Sequence, residues 1–233
     1  MDWDAAIEKH RDALKSVLAG LLVLAGFVGG RPATLPRHLH RAVLRLLRPA
    51  EAAVRRLVIV AARSIAVRLP PLRPRGRMRR QPRAPAATSF PLFDPLSRWG
   101  RIRRRPPQTC MPRIAFPGVT ALSPIRRPPM PMDPIDTALL ARRLAALGRV
   151  LDNLPQQALR FARWQARKAR SSSMLRQPGT RAATRFRRVW PLRPGPPPGR
   201  HPARGHRPAH AVHAILTDVH GLALWVLEPA DTS

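Results

Sequence analysis

Histidine is the first side chain to test for chemistry, and three histidines stand close together late in the chain: His210, His213 and His220. On a helix His213 and His220 would lie two turns apart, about 10 Å along the axis. That is too far for one metal ion with bonds of about 2 Å. His210 and His213 are near enough to share an ion, but no carboxylate or thiol partner stands out to complete the set. We expect no metal site, and read the three as flank residues of a helix. Cys110 is the only cysteine, so neither an intrachain disulfide nor a thiolate cage is available. Neighbouring arginines would favour its thiolate, but a chance cysteine in a loop is the simpler reading. Acids number 12, four of them within the first twelve residues, which leaves little for paired carboxylate catalysis. There is no phosphate-cradling glycine loop, no HExxH and no nucleophile elbow. We therefore expect no catalytic residue, no cofactor and no enzyme.

The remaining chemistry is that of guanidinium. The chain has 43 Lys and Arg, and removing Lys9, Lys15 and Lys168 leaves 40 arginines against those 12 acids, a net charge of +31. Like charges at this density oppose compaction and attract anionic lipid or nucleic acid. The excess of Arg, Ala, Pro and Gly also matches GC-rich codon usage, so composition alone does not establish selection for guanidinium chemistry.

Proline divides the chain. Residues 70–131 hold 15 of the 29 prolines, and residues 171–208 hold eight more. Both stretches are poor in large apolar residues and read as disordered Pro/Arg-rich linkers. They separate 1–69, 132–170 and 209–233. The expected fold is mainly α: a few amphipathic helices on long linkers, with no compact single core.

Residues 16–30 (SVLAGLLVLAGFVGG) carry no charge. As a helix they would extend about 22 Å, short of the roughly 30 Å hydrocarbon core of a bilayer. Our leading expectation is a marginal membrane-embedded helix with Val17, Leu18, Leu21, Leu22, Val23, Leu24, Phe27 and Val28 in lipid. The alternatives are a packed helix of a soluble bundle and a signal sequence, the last disfavoured by the acids that precede it. Basic residues after the segment outnumber those before it, which would place most of the chain on the cytoplasmic side of a bacterial inner membrane.

Residues 35–69 make the sharpest pattern. Leu39, Val43, Leu46, Leu47, Ala50, Val54, Leu57, Val58, Ala61 and Ile65 follow the helical template. Arg37, Arg41, Arg45, Arg48, Arg55, Arg56 and Arg63 take the opposite face. Pro49 should kink or restart the helix. A basic amphipathic helix suits an anionic lipid surface, with those seven arginines at headgroups. The same arginines could instead meet nucleic-acid phosphates, or be the solvated face of a bundle helix.

Further on, Asp133 should N-cap a helix with Pro134 at its first position and Asp136 in its first turn. Leu139, Leu140, Leu144, Leu147, Val150, Leu151 and Leu154 form its apolar face. A second helix restarts at Pro155, with Arg160, Arg163, Arg167 and Arg170 in one stripe beside Trp164, and Phe161 on the opposite flank. Such aromatics either stack on bases or, more commonly, anchor a helical hairpin. The last helix, at about 209–228, presents Val212, Ile215, Leu216, Val219, Leu222, Ala223, Val226 and Leu227 on one face. No strand is expected.

Residues 35–51 (LPRHLHRAVLRLLRPAE), 188–195 (RVWPLRPG) and 220–233 (HGLALWVLEPADTS) are similar to segments of uncharacterised hypothetical proteins of high-GC proteobacterial genomes. The resemblance covers about a third of the chain and implies no function or site residue. The residues themselves favour a non-enzymatic membrane-associated helical protein whose main partner is anionic lipid. The alternatives are an arginine-rich nucleic-acid-binding protein and a scaffold for an acidic protein partner.

Overall fold

A computed structural model describes residues 2–30, 32–70, 90–95, 130–175, 190–199 and 210–228. It is mainly helical, as the periodicity predicts: α1 (Trp3–Leu24), α2 (Arg37–Ala61), α3 (Ala138–Asp152), α4 (Leu154–Leu175) and α5 (Ala211–Leu227). Most of 70–131 and 171–208, where linkers are expected, lies outside the described residues. Two short pieces of them, 90–95 and 190–199, lie against the helices and contribute Phe90, Leu92 and Leu192 to the core.

The mainly α expectation stands; where no compact single core is expected, the described residues nevertheless share a buried cluster. Apolar residues of all five helices join in one buried cluster around α2, which touches each of the other helices. Val43, Leu47, Ala50, Val54, Leu57 and Val58 of the predicted stripe are fully buried. From Pro49 to Val60 every residue of α2 is buried, whichever way it faces. The first half of α2 is thus an amphipathic surface helix, and the second half is a central one. The helix also runs through Pro49 without interruption, whereas the sequence predicts a kink or a restart. Packing on all sides holds the ladder in register where one backbone donor is missing.

The assignment of 16–30 to lipid changes for the same reason. Leu14, Val17 and Leu21 are core residues, and Leu18, Leu22 and Phe27 pack on that core from its edge. Val23, Leu24 and Val28 are exposed. No helix among the described residues is long and apolar enough to cross a membrane. The sequence pattern of α1 is that of a half-buried helix, and what it buries against only becomes visible in the fold.

Two three-residue strands, unpredicted, pair antiparallel: β1 (Thr34–Pro36) with β2 (Pro134–Asp136), Leu35 opposite Ile135. Pro134 therefore belongs to a strand rather than to a helix start. Helix α3 begins at Ala138, whose amide donates to Asp136 Oδ1 at 2.8 Å. Thr137 ties the strand pair to the preceding chain, its hydroxyl donating to the carbonyls of Pro32 and Ala33. Asp2 caps α1, accepting from the amides of Asp4 and Ala5 at 3.1 Å. Arg11 of α1 reaches the far end of α3, donating to the carbonyls of Leu151 at 2.7 Å and Asp152 at 3.1 Å. Those carbonyls are acceptors that a helix C-terminus leaves unpaired.

Helix directions follow from these contacts. Arg11 meets the end of α3, and Leu18 faces Gly148, so α1 and α3 are antiparallel. Arg63, just past α2, bonds Asp4 at 3.2 Å, so α1 and α2 are antiparallel as well. The end of α1 and the starts of α2 and α3 consequently share one end of the bundle.

Gly199 closes the 190–199 piece against α2. Its φ is +84°, and a Cβ placed there would lie 2.6 Å from the Pro49 nitrogen and 2.7 Å from Pro49 Cδ. Both atoms are rigid. Gly199→Ala should therefore cost about 1–3 kcal/mol in urea unfolding, from steric overpacking and a left-handed backbone. Gly20 in α1 has open space around it, and Gly20→Ala should stabilise by roughly 0.5–1 kcal/mol. Equal effects of the two substitutions would mean that 190–199 does not dock on Pro49.

Candidate functional site

Arg55 and Arg56 were placed by sequence on a lipid-facing or phosphate-facing surface. They are instead 4% and 0% exposed. Their helix is surrounded there, so each guanidinium has to find its partners inside the protein. Asp94 supplies most of them. Its carboxylate, itself fully buried, accepts from Arg56 Nη2 at 2.9 Å and Nη1 at 3.4 Å. It also pairs with Arg55 Nη1 at 3.5 Å. Arg56 further donates to the Ala52 carbonyl at 2.8 Å and, through Nε, to His220 Nδ1 at 3.0 Å. With Nδ1 accepting, that imidazole is neutral and carries its proton on Nε2.

Arg55 donates from Nε to the Pro91 carbonyl at 3.0 Å and lies over the Phe90 ring, 5.4 Å from its centroid. Its remaining acid partner is Glu51, one helical turn earlier, at 3.5 Å. Glu51 is in turn held by Arg143 of α3, which donates from Nε at 2.8 Å and Nη2 at 2.9 Å. Three arginines thus share two carboxylates across α2, α3 and the 90–95 piece. Burial lowers the proton affinity of Arg55 and Arg56, and the acids oppose that shift. Both remain guanidinium at any ordinary pH.

Asp94 is the residue that sequence reasoning missed. It is the sole acid between Glu51 and Asp133, and its neighbours Phe90, Leu92 and Phe93 are unusually apolar for that stretch. An isolated acid among aromatics inside an Arg/Pro-rich stretch was the available signal.

The other predicted arginines are dispersed. Arg41, Arg45 and Arg48 are exposed on the first half of α2. Arg37 pairs with Asp133 at 3.4 Å, while its buried Nε has no hydrogen-bond partner among the described residues. Arg63 lies over Trp3, which stacks on Trp225 with centroids 5.0 Å apart. In α4, Arg160, Arg163 and Arg167 are exposed, as the stripe predicts. Trp164 packs between Phe161 and Phe93, at 5.5 and 4.9 Å, as a hairpin anchor would. His210 caps α5, accepting from the Val212 amide at 3.1 Å. Among the described residues no group of histidines, cysteines and acids has the arrangement of a metal site. Cys110 lies outside them.

Beside the Glu51–Arg143 pair opens a cavity of about 540 Å³ between α2, α3 and Phe90–Pro91. Leu44, Leu140 and Ala146 give it apolar walls, and His40, Arg142 and Arg143 line it with Glu51. The His40 imidazole is held below its ordinary proton affinity by burial first, and then by the positive charges of Arg143 and Arg37. Across α3, a second groove of about 450 Å³ lies between Leu18, Leu22, Phe27 and Arg149, and Arg142 borders it too. No family model matches the chain, and no curated protein or solved structure is similar to it.

Two outcomes follow for stability. Asp94→Asn leaves Arg56 buried without a full counter-charge and should cost about 3–5 kcal/mol, read as a lower urea midpoint. Replacing Arg56 and Asp94 together by Met and Leu should recover most of that loss. An unchanged midpoint for Asp94→Asn would show that 90–95 does not seal the pair. His10 and His40 both bind protons less readily when folded, chiefly through burial. The unfolded chain therefore holds more protons just below the ordinary imidazole value of 6.5, and stability should fall as pH drops through that range. A thermal-midpoint series should lose that pH dependence in the His10→Gln, His40→Gln variant.

Proposed function

We propose that this is a non-enzymatic protein that docks on anionic lipid with the bundle end where α1 stops and α2 and α3 begin. One observation carries the reading. Val23, Leu24, Val28, Met130, Met132 and Leu139 are exposed there, Val28, Met132 and Leu139 by 74, 72 and 70%. They are six of the eight exposed large apolar residues among the described ones. Apolar side chains gathered at one end are commonly a contact surface rather than scatter. Arg41 and Arg45 are exposed on the adjoining turns of α2, while the nearby acid Asp133 is already paired with Arg37. Apolar insertion and headgroup attraction would act together.

This differs from both a spanning helix and a helix lying flat in the interface, because the stripe needed for either is in the core. A separate contact weakens a nucleic-acid reading of α4, whose stacking residue Trp164 is occupied by Phe161 and Phe93.

Vesicle sedimentation tests the reading. Val23→Ser, Val28→Ser, Met132→Ser together should reduce binding to phosphatidylglycerol and phosphatidylcholine vesicles alike. Arg41→Gln, Arg45→Gln should weaken binding to phosphatidylglycerol only, by about fivefold per arginine at low salt. Binding unchanged by both sets would refute docking through this end.

A further inference from the structure

The cavity beside Glu51 has a composition of its own. Its walls are aliphatic and aromatic, from Leu44, Leu139, Leu140, Ala146, Phe90 and Pro91. Its volume of about 540 Å³ falls within the range of small-molecule sites. Its charged lining is unbalanced. Arg142, Arg143 and His40 stand against Glu51 alone. Both Glu51 oxygens already accept from arginine, one from Arg143 Nε and the other from Arg143 Nη2 and Arg55 Nη2. Arg142 is exposed and makes no hydrogen bond or ion pair to any described residue. An apolar cavity with one exposed guanidinium at its border, free of any acid among the described residues, suits a molecule that is apolar along its length and anionic at one end.

We propose that this cavity binds one acyl chain bearing a carboxylate, the chain between Leu44, Leu140, Ala146 and Phe90 and the carboxylate on Arg142. Its position also fits the docking end, since Leu139 belongs both to the cavity wall and to the exposed apolar set. The site does not depend on docking, because a free fatty acid in water offers the same chemistry. Arg143 holds its place on Glu51, and through it on Arg55, so the positive wall of the cavity is fastened to the buried network. Phe90 and Pro91, which form the opposite wall, belong to the same piece that carries Asp94. Filling the cavity and holding 90–95 in place are therefore physically coupled.

The full chain is titrated calorimetrically with octanoate, decanoate and laurate below their micelle concentrations. We expect one saturable site, with affinity rising about fourfold per added methylene. Arg142→Gln should weaken laurate by about tenfold, as for loss of a charge-assisted hydrogen bond, and leave dodecanol unchanged. Leu44→Trp, which fills the cavity from a half-buried position, should abolish both while helical circular dichroism stays unaltered. If Leu44→Trp unfolds the chain, Leu139→Trp at the exposed rim serves in its place. Laurate binding that does not saturate at one equivalent, or that survives a folded cavity-filling variant, would overturn the site. Vesicle sedimentation of the same variant separates the two readings: docking retained with laurate lost means that the cavity takes free fatty acid. Docking lost by wild type when laurate saturates it means that the chain is drawn from the lipid. Val23→Ser, Val28→Ser, Met132→Ser should leave laurate binding intact, and its loss there, in a folded protein, would overturn a cavity site independent of docking.

Discussion

Two adjacent arginines in the middle of a surrounded helix place the strongest demand on this fold. Arg55 and Arg56 point to different sides of α2, and neither side is solvent. A guanidinium left unpaired in such a place costs several kcal/mol, comparable with the whole stability of a small domain. The chain meets this demand with an acid from the same helix, Glu51, and one from a distant piece, Asp94. Asp94 arrives only if 90–95 lies on α2, and its own amide donates to the Pro191 carbonyl. The 190–199 piece is drawn to the same place, where Gly199 fits against Pro49. His220 accepts from Arg56 Nε and so ties α5 to the same group. One electrostatic requirement thereby orders three segments that are far apart in sequence.

The same arrangement explains how a chain of net charge +31 can bury a core at all. Most of the arginines that the described residues show stay at the surface, where water and salt screen their repulsion. The few that enter are matched to a large share of the scarce acids. Asp4 meets Arg63, Glu8 meets Arg11, Asp133 meets Arg37, and Glu51 and Asp94 serve the buried group. Surface pairs of this kind contribute little individually. The buried group is different, because burial removes the solvent that would otherwise screen it.

Function, in this reading, occupies the end of the bundle that the core does not use. Val23, Leu24 and Val28 come from the last turn of α1 and the loop after it, and their side chains are exposed. Met130 and Met132 lie in the turn before β2, held by the Asp133 carboxylate and by His38. The cavity lining runs from His40 and Leu139 near that end to Glu51 and Ala146. Positive charge and apolar surface are thus adjacent there without being in the core, which is the combination an amphipathic anion recognises.

Helix content was legible in the amino-acid order, because 3.6-residue periodicity is a local property. The stripe from Val43 to Val58 and the faces of α3 and α5 needed no other information. The start of α3 was legible only approximately, since Pro134 reads as its first residue but stands in β2. The destination of each face was not. Val17 and Leu21 are expected in lipid but lie in the core, since both surroundings reward the same burial. Arg55 and Arg56 read as surface because charge is normally exposed, and the exception depends on Asp94, thirty-eight positions away. The strand pair at Leu35 and Ile135 depends likewise on two segments meeting a hundred positions apart. Amino-acid order therefore determined which helices form and which face of each is apolar. Tertiary structure decided what those faces cover and which charges are buried, because burial and charge neutralisation are set by neighbours in space rather than in sequence.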